Sequence, residues 1–95
     1  MEQSASIDKR LENIKRLGGL VPQLWENVHE YDYYNILKIY KHLINEPKSA
    51  DFGFMKDFVQ NLGDTVRTVE LYRTNEKSRK LLSDAADILK EIIRN

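Results

Sequence analysis

Apolar residues recur along this chain at steps of three and four, separated by charged and amide side chains. That is the period of a helix rather than of a strand. No run of alternating apolar and polar residues bounded by turn signals appears anywhere. The breakers are few: Gly18-Gly19, Pro22, Pro47, Gly53 and Gly63.

The pattern predicts five helices. The first runs from Ser6 or Ile7 to Leu17, with Ser6 as N-cap and Gly18 as the left-handed residue that closes it. Pro22 suits the first turn of a short second helix ending near His29, whose inner face is Leu24, Trp25 and Val28. Asp32 reads as the N-cap of a third helix reaching about Asn45, before Glu46-Pro47 forces an end. Lys48 to Asp51 is a turn, with Ser49 or Asp51 as cap, and a fourth helix extends from about Phe52 to Tyr72. Its residues Met55, Val59, Leu62, Val66 and Val69 follow a heptad rhythm. Gly63, inside that pattern, costs about 1 kcal/mol relative to Ala and marks either a kink or a close helix approach. A turn at Thr74 to Glu76 leads into the fifth helix, where Leu81, Ala85, Ile88 and Ile92 repeat the rhythm.

The expected fold is therefore all-α: a compact bundle of four to five helices, with the last two forming an antiparallel helical hairpin. The fifth helix carries a second stripe, Leu82, Ala86, Leu89 and Ile93. Together its two stripes cover an arc of roughly 160° at 100° per residue, wider than the stripe of about 100° that one neighbour needs. The third helix has a similarly wide arc. Either these two helices lie centrally, or one exposes a surface to a partner.

Composition narrows the class. The chain has 95 residues, of which 41% are hydrophobic and 32% charged, so it reads as a single folded helical domain over 1–95 with a flexible tail at 1–5. Fifteen basic side chains balance fifteen acidic ones, which excludes a strongly basic nucleic-acid binder as a description of the whole molecule. The absence of cysteine excludes a disulfide scaffold, a thiolate metal site and a cysteine nucleophile. With no apolar leader and no run of roughly 20 apolar residues, the expectation is a cytoplasmic chain without membrane attachment.

Reactive constellations are weakly represented. Glu26 and His29 have the Glu-x-x-His spacing of di-metal bundles, but His42 has Ile39 three positions before it, so the second copy such a site needs is missing. No serine sits in a strand–turn–helix elbow, and Gly18-Gly19 is followed by Leu20-Val21-Pro22 rather than by a phosphate-binding continuation. Acidic side chains have basic neighbours at helical spacing, such as Glu76 with Lys80, as on a salt-bridged outer face. No catalytic residue, metal ligand or cofactor is expected.

Two binding surfaces remain. Arg73, Lys77, Arg79 and Lys80 form a short basic patch that would attract phosphates, before the helix turns acidic at Asp84, Asp87 and Glu91. Among the aromatics, Tyr33 and Tyr40 share the apolar face of the third helix and read as core, as does Trp25, with an interface anchor as its alternative. Tyr31 and Tyr34 point elsewhere and suit contact with a partner. The leading expectation is a non-enzymatic protein–protein interaction module, a small adaptor, inhibitor or regulator. It would form a homodimer or bind another protein through Leu82, Ala86, Leu89 and Ile93, then Tyr31 and Tyr34. A small nucleic-acid-associated regulator using the basic patch is the alternative.

Overall fold

Neither the glycine pair nor Pro22 ends the first helix. The computed structural model describes residues 2–47 and 53–94, and α1 spans Glu2–Asn27 without interruption. Pro22 removes the hydrogen bond that would run to the Gly18 carbonyl, at a cost of about 3 kcal/mol. Leu17 and Leu24 flank it on one face and are completely buried. Burying two leucines contributes roughly 3–6 kcal/mol, enough to outweigh the local penalty, so packing overrides propensity. The expected first and second helices are thus one. Residues 2–5, expected as a tail, belong to its first turns, while Met1 and the turn predicted at Lys48 to Asp51 lie outside the described residues.

After a short turn at Val28 and His29, α2 spans Glu30–Asn45. Its N-cap is His29, not Asp32: His29 is extended (φ −61°, ψ 144°), and Asp32 sits buried in the first turn. α3 covers Gly53–Thr68, the five-residue α4 covers Glu70–Thr74, and α5 covers Glu76–Arg94. The predicted fourth helix therefore breaks, at Val69 rather than at Gly63. Four of the five residues from Thr65 to Val69 are β-branched, a local concentration that the whole-chain pattern conceals. Thr65 and Thr68 also donate their hydroxyls to the carbonyls of Asn61 and Asp64, which loosens helical turns. Asn75 closes α4 and opens α5, where its Oδ1 accepts the Ser78 N–H at 3.0 Å.

The long helices alternate in direction. Trp25 meets Tyr33 at 5.0 Å between ring centroids. Seven residues back along α1, Gly18 faces Tyr40, seven residues on along α2. Arg10 reaches both Pro47 and Ile92, while Arg16 and Leu20 face Asp84, Asp87 and Ile88, so α1 runs antiparallel to α2 and to α5. Lys38 sits over Phe54 while Tyr31 faces Asn61 and Thr65, which makes α2 and α3 antiparallel. The result is an up-down-up-down bundle in which α5 lies between α1 and α3. The expected closing hairpin is present as α3 and α5, joined through α4.

Both stripes of α5 face inward. Leu81, Ala85, Ile88 and Ile92 are buried, and so are Leu82, Ala86 and Leu89, with Ile93 half-buried against the same core. The third predicted helix, now α2, is not central: it packs mainly on α1 and keeps only Asp32, Ile36, Ile39 and Leu43 fully inside.

Three helical glycines differ in their surroundings. A methyl at Gly18 would lie 2.8 Å from Cζ of Tyr40, whereas a methyl at Gly19 or Gly63 would meet nothing within 4 Å. None of them has positive φ. Gly19→Ala and Gly63→Ala should each stabilise the fold by about 0.5–1 kcal/mol, a rise in Tm of roughly 2–8 °C. Gly18→Ala must displace the phenol and should melt below Gly19→Ala. Calorimetry of the three variants checks this ranking.

Candidate functional site

Polar contacts fix both ends of the α1–α2 hairpin. At the turn end, Tyr72 of α4 is fully buried; its hydroxyl donates to Asp32 Oδ2 at 2.6 Å and accepts the His29 N–H at 3.0 Å. The two rings also meet edge to face, 5.6 Å apart. Burial holds the phenol proton on well above the ordinary tyrosine range, and the Asp32 carboxylate adds to this as acceptor and as a nearby negative charge. The N–H of His29 opposes it. At the other end the Arg10 guanidinium donates to the carbonyls of Pro47 and Ile92, at 3.0 and 3.4 Å. A cation there complements the C-terminal dipole ends of α2 and α5.

Between these anchors the outer face of the hairpin is apolar. Trp25 is 58% exposed and Ile44 50%, with Leu11 also exposed and Tyr33, Leu37 and Tyr40 half-buried between them. The continuous phase of α1 explains Trp25. Leu24 lies at the centre of the buried stripe, so Trp25, about 100° further round, emerges on the seam with α2. Trp25 is therefore a surface residue rather than core. The antiparallel register carries the seam from the Trp25–Tyr33 pair, past Gly18 and Tyr40, to Ile44 and Leu11.

Tyr34 adjoins this seam, 51% exposed and 5.5 Å from the Tyr33 ring. Tyr31, 74% exposed, instead borders a groove of about 180 Å³ between α2 and α3, walled by Phe54 and Phe58 with Asp32 and Asp57 alongside. Tyr31 and Tyr34, both expected to suit contact with a partner, are thus both exposed but border neighbouring surfaces.

The α5 stripe is the clearest correction. Leu82, Ala86 and Leu89 pack inside the bundle, and Ile93 packs against that core, because α5 has α1 on one side and α3 on the other. A partner cannot reach Leu82, Ala86 or Leu89 without opening the fold, and Ile93 keeps only part of its side chain at the surface. The surplus apolar surface lies on the α1–α2 hairpin instead. Helix phase carries its signal in the sequence: once α1 is taken as unbroken, Leu11, Gly18 and Trp25 recur at intervals of seven.

Arg73, Lys77, Arg79 and Lys80 are all exposed at the α4–α5 junction. Lys77 and Arg79 lie at opposite edges of the exposed arc of α5, about 160° apart, so the patch does not gather on one face. The turn at Val28–His29 takes His29 out of α1, so Glu26 and His29 do not project together from one helix. Among the described residues no group of three or more His, Asp or Glu side chains converges as a metal site. Nor is any helix among them long and apolar enough to cross a membrane.

No known family model matches the chain, and no curated protein or solved structure is significantly similar to it.

Tyr72→Phe removes the donor to a buried carboxylate and should destabilise the fold by about 1–3 kcal/mol. The pH dependence has a definite sign. A phenol whose pKa is raised on folding supports the native state below its ordinary pKa of about 10, and that support is lost as pH rises above it. Denaturant unfolding at pH 7 and above pH 10 should show a steeper alkaline loss in the parent chain than in Tyr72→Phe.

Proposed function

We propose that this chain is a protein–protein interaction module rather than an enzyme, and that the outer α1–α2 seam is its working surface. The observation that carries this reading is the uneven distribution of apolar side chains. α5 buries both of its stripes, whereas one continuous strip on the hairpin leaves Trp25, Ile44 and Leu11 in water. Contiguous exposed apolar surface of this kind marks a binding site, and a tryptophan flanked by tyrosines has the composition of an interface anchor. The buried Tyr72–Asp32 pair supports the same reading, because it holds the turn rigidly and pre-orders the aromatic end of the strip. A cytoplasmic setting suits a cysteine-free chain of this kind.

The test is positional. A photo-crosslinking residue introduced at Trp25 or Ile44 should give protein adducts in the native host, and one at Asp87 or Lys90 on the outer face of α5 should give few. Equal adducts at all four sites would overturn the proposal. So would adducts mainly to nucleic acid from Arg73, Lys77, Arg79 and Lys80, which would favour a nucleic-acid-associated regulator instead.

A further inference from the structure

The groove between α2 and α3 stands apart from the α1–α2 seam and differs from it in chemistry. Phe54 and Phe58, their planes only 6° apart, wall its α3 side with Leu62, and Tyr31 borders it from α2. Two carboxylates open among these apolar groups. Asp57 is exposed, whereas Asp32 retains only 6% of its exposure, and its side chain lines the groove. Asp32 Oδ2 accepts the Tyr72 hydroxyl, but Oδ1 has no hydrogen-bond partner among the described residues. No basic side chain among them lies within ion-pair distance of either carboxylate. Lys38 sits over the Phe54 ring instead, 5.0 Å from its centroid.

The positive end of α2 and the Tyr72 hydroxyl offset part of the cost of holding Asp32 there. Neither supplies the full positive charge with which a buried carboxylate is ordinarily paired. We infer that the groove binds an alkylammonium ion, which donates an N–H to Asp32 Oδ1 and lays its carbon chain against Phe58 and Leu62.

Each part of that occupant answers an observation. The unpartnered oxygen needs a donor, and the uncompensated carboxylates need a positive charge, which a primary amine with a pKa of about 10 carries at neutral pH. Aromatic walls suit the same ion, because ring faces attract cations and ring bodies bury methylene groups. A bare metal ion fits poorly, since no third carboxylate or histidine joins the two. A volume of about 180 Å³ limits the occupant to a few carbon atoms, as sites for drug-sized molecules run to roughly 300–1,000 Å³. The ammonium could come from a free amine or from a lysine side chain of another protein.

NMR titration of the purified full chain tests the site. The probe n-butylammonium chloride should shift the amides of Asp32, Asn61 and Thr65 saturably, with a Kd of about 1–10 mM. Sodium chloride at matched ionic strength should not. Butan-1-ol donates an O–H without a charge, and tetramethylammonium carries a charge without an N–H. Each should bind at least about fivefold more weakly than butylammonium. Asp32→Asn keeps an acceptor for Tyr72 and removes the charge, so it should weaken butylammonium at least about tenfold. Asp57→Asn and Tyr31→Ala alter exposed positions, should leave Tm unchanged, and should each weaken binding about two- to fivefold. These two decide the matter if Asp32→Asn does not fold. Nα-acetyl-lysine N-methylamide separates the sources: tighter binding than butylammonium assigns the groove to a lysine side chain, and equal or weaker binding assigns it to a free amine.

No saturable shift at about 100 mM butylammonium, or the same shifts with sodium chloride, would overturn the inference. Undiminished binding in Asp32→Asn would do so too, or in both other variants if that one is unfolded. Butan-1-ol or tetramethylammonium binding as tightly as butylammonium would refute the contact with Asp32. The groove lies off the seam, so its failure and a failure of the crosslinks at Trp25 and Ile44 are separate results.

Discussion

The width of the apolar arc on α5 constrains everything else in this bundle. Two stripes of leucine, isoleucine and alanine need cover from two directions, and in the fold they receive it from α1 and α3. That fixes the order of the helices around the bundle. α1 must extend far enough to cover a 19-residue helix, which it does by continuing through two glycines and a proline. α2, which follows α1 through a short turn, packs mainly on α1, borders α3 across a groove, and gains burial chiefly for a narrow inner face. The exposed strip on the hairpin follows from this arrangement.

Much of the fold was legible in the sequence, and its failures have physical causes. The heptads of α3 and α5 follow directly from spacing, and the end of α2 from Pro47. The division of α1 into two helices is a local inference from Gly18, Gly19 and Pro22 that tertiary burial of Leu17 and Leu24 overrides. The same inference misplaces Trp25: two separate helices have independent phases, which puts Trp25 on an inner face, whereas the single phase of continuous α1 brings it to the surface. The break at Val69 is hidden by a heptad that runs right up to it. Asp32 looked like a cap because its partner, Tyr72, is distant in sequence and no local pattern reveals the hydrogen bond. Surplus apolar area on one of two helices is legible in the sequence, but which of them leaves it in water is not: α5 buries its second stripe, and the exposed Trp25, Leu11 and Ile44 lie on α1 and α2. Choosing between them needs the packing order, which pattern within a single helix does not contain.

The polar contacts do different work from the core. The core specifies which faces meet, but apolar faces can slide by a turn at modest cost. Tyr72 with Asp32 and His29 pins one end of the hairpin, and Arg10 with the carbonyls of Pro47 and Ile92 pins the other. A slip of one turn would leave a buried carboxylate without its donor, and a buried polar group left unpaired costs more than the made bond contributes. Register is thus set at the two ends and filled in between by packing.

The pairing of α1 with α5 also has a consequence for biosynthesis. It joins segments from opposite halves of the chain, as the contact between Arg10 and Ile92 illustrates. While the protein is being made, α1 and α2 leave the ribosome with their inner leucines and isoleucines still in search of cover, because α5, which completes that cover, is translated after α3 and α4. The hairpin can form early, but the bundle cannot close until α5 has emerged. Throughout that interval its exposed strip and its unfinished inner face are both open to the surrounding cell.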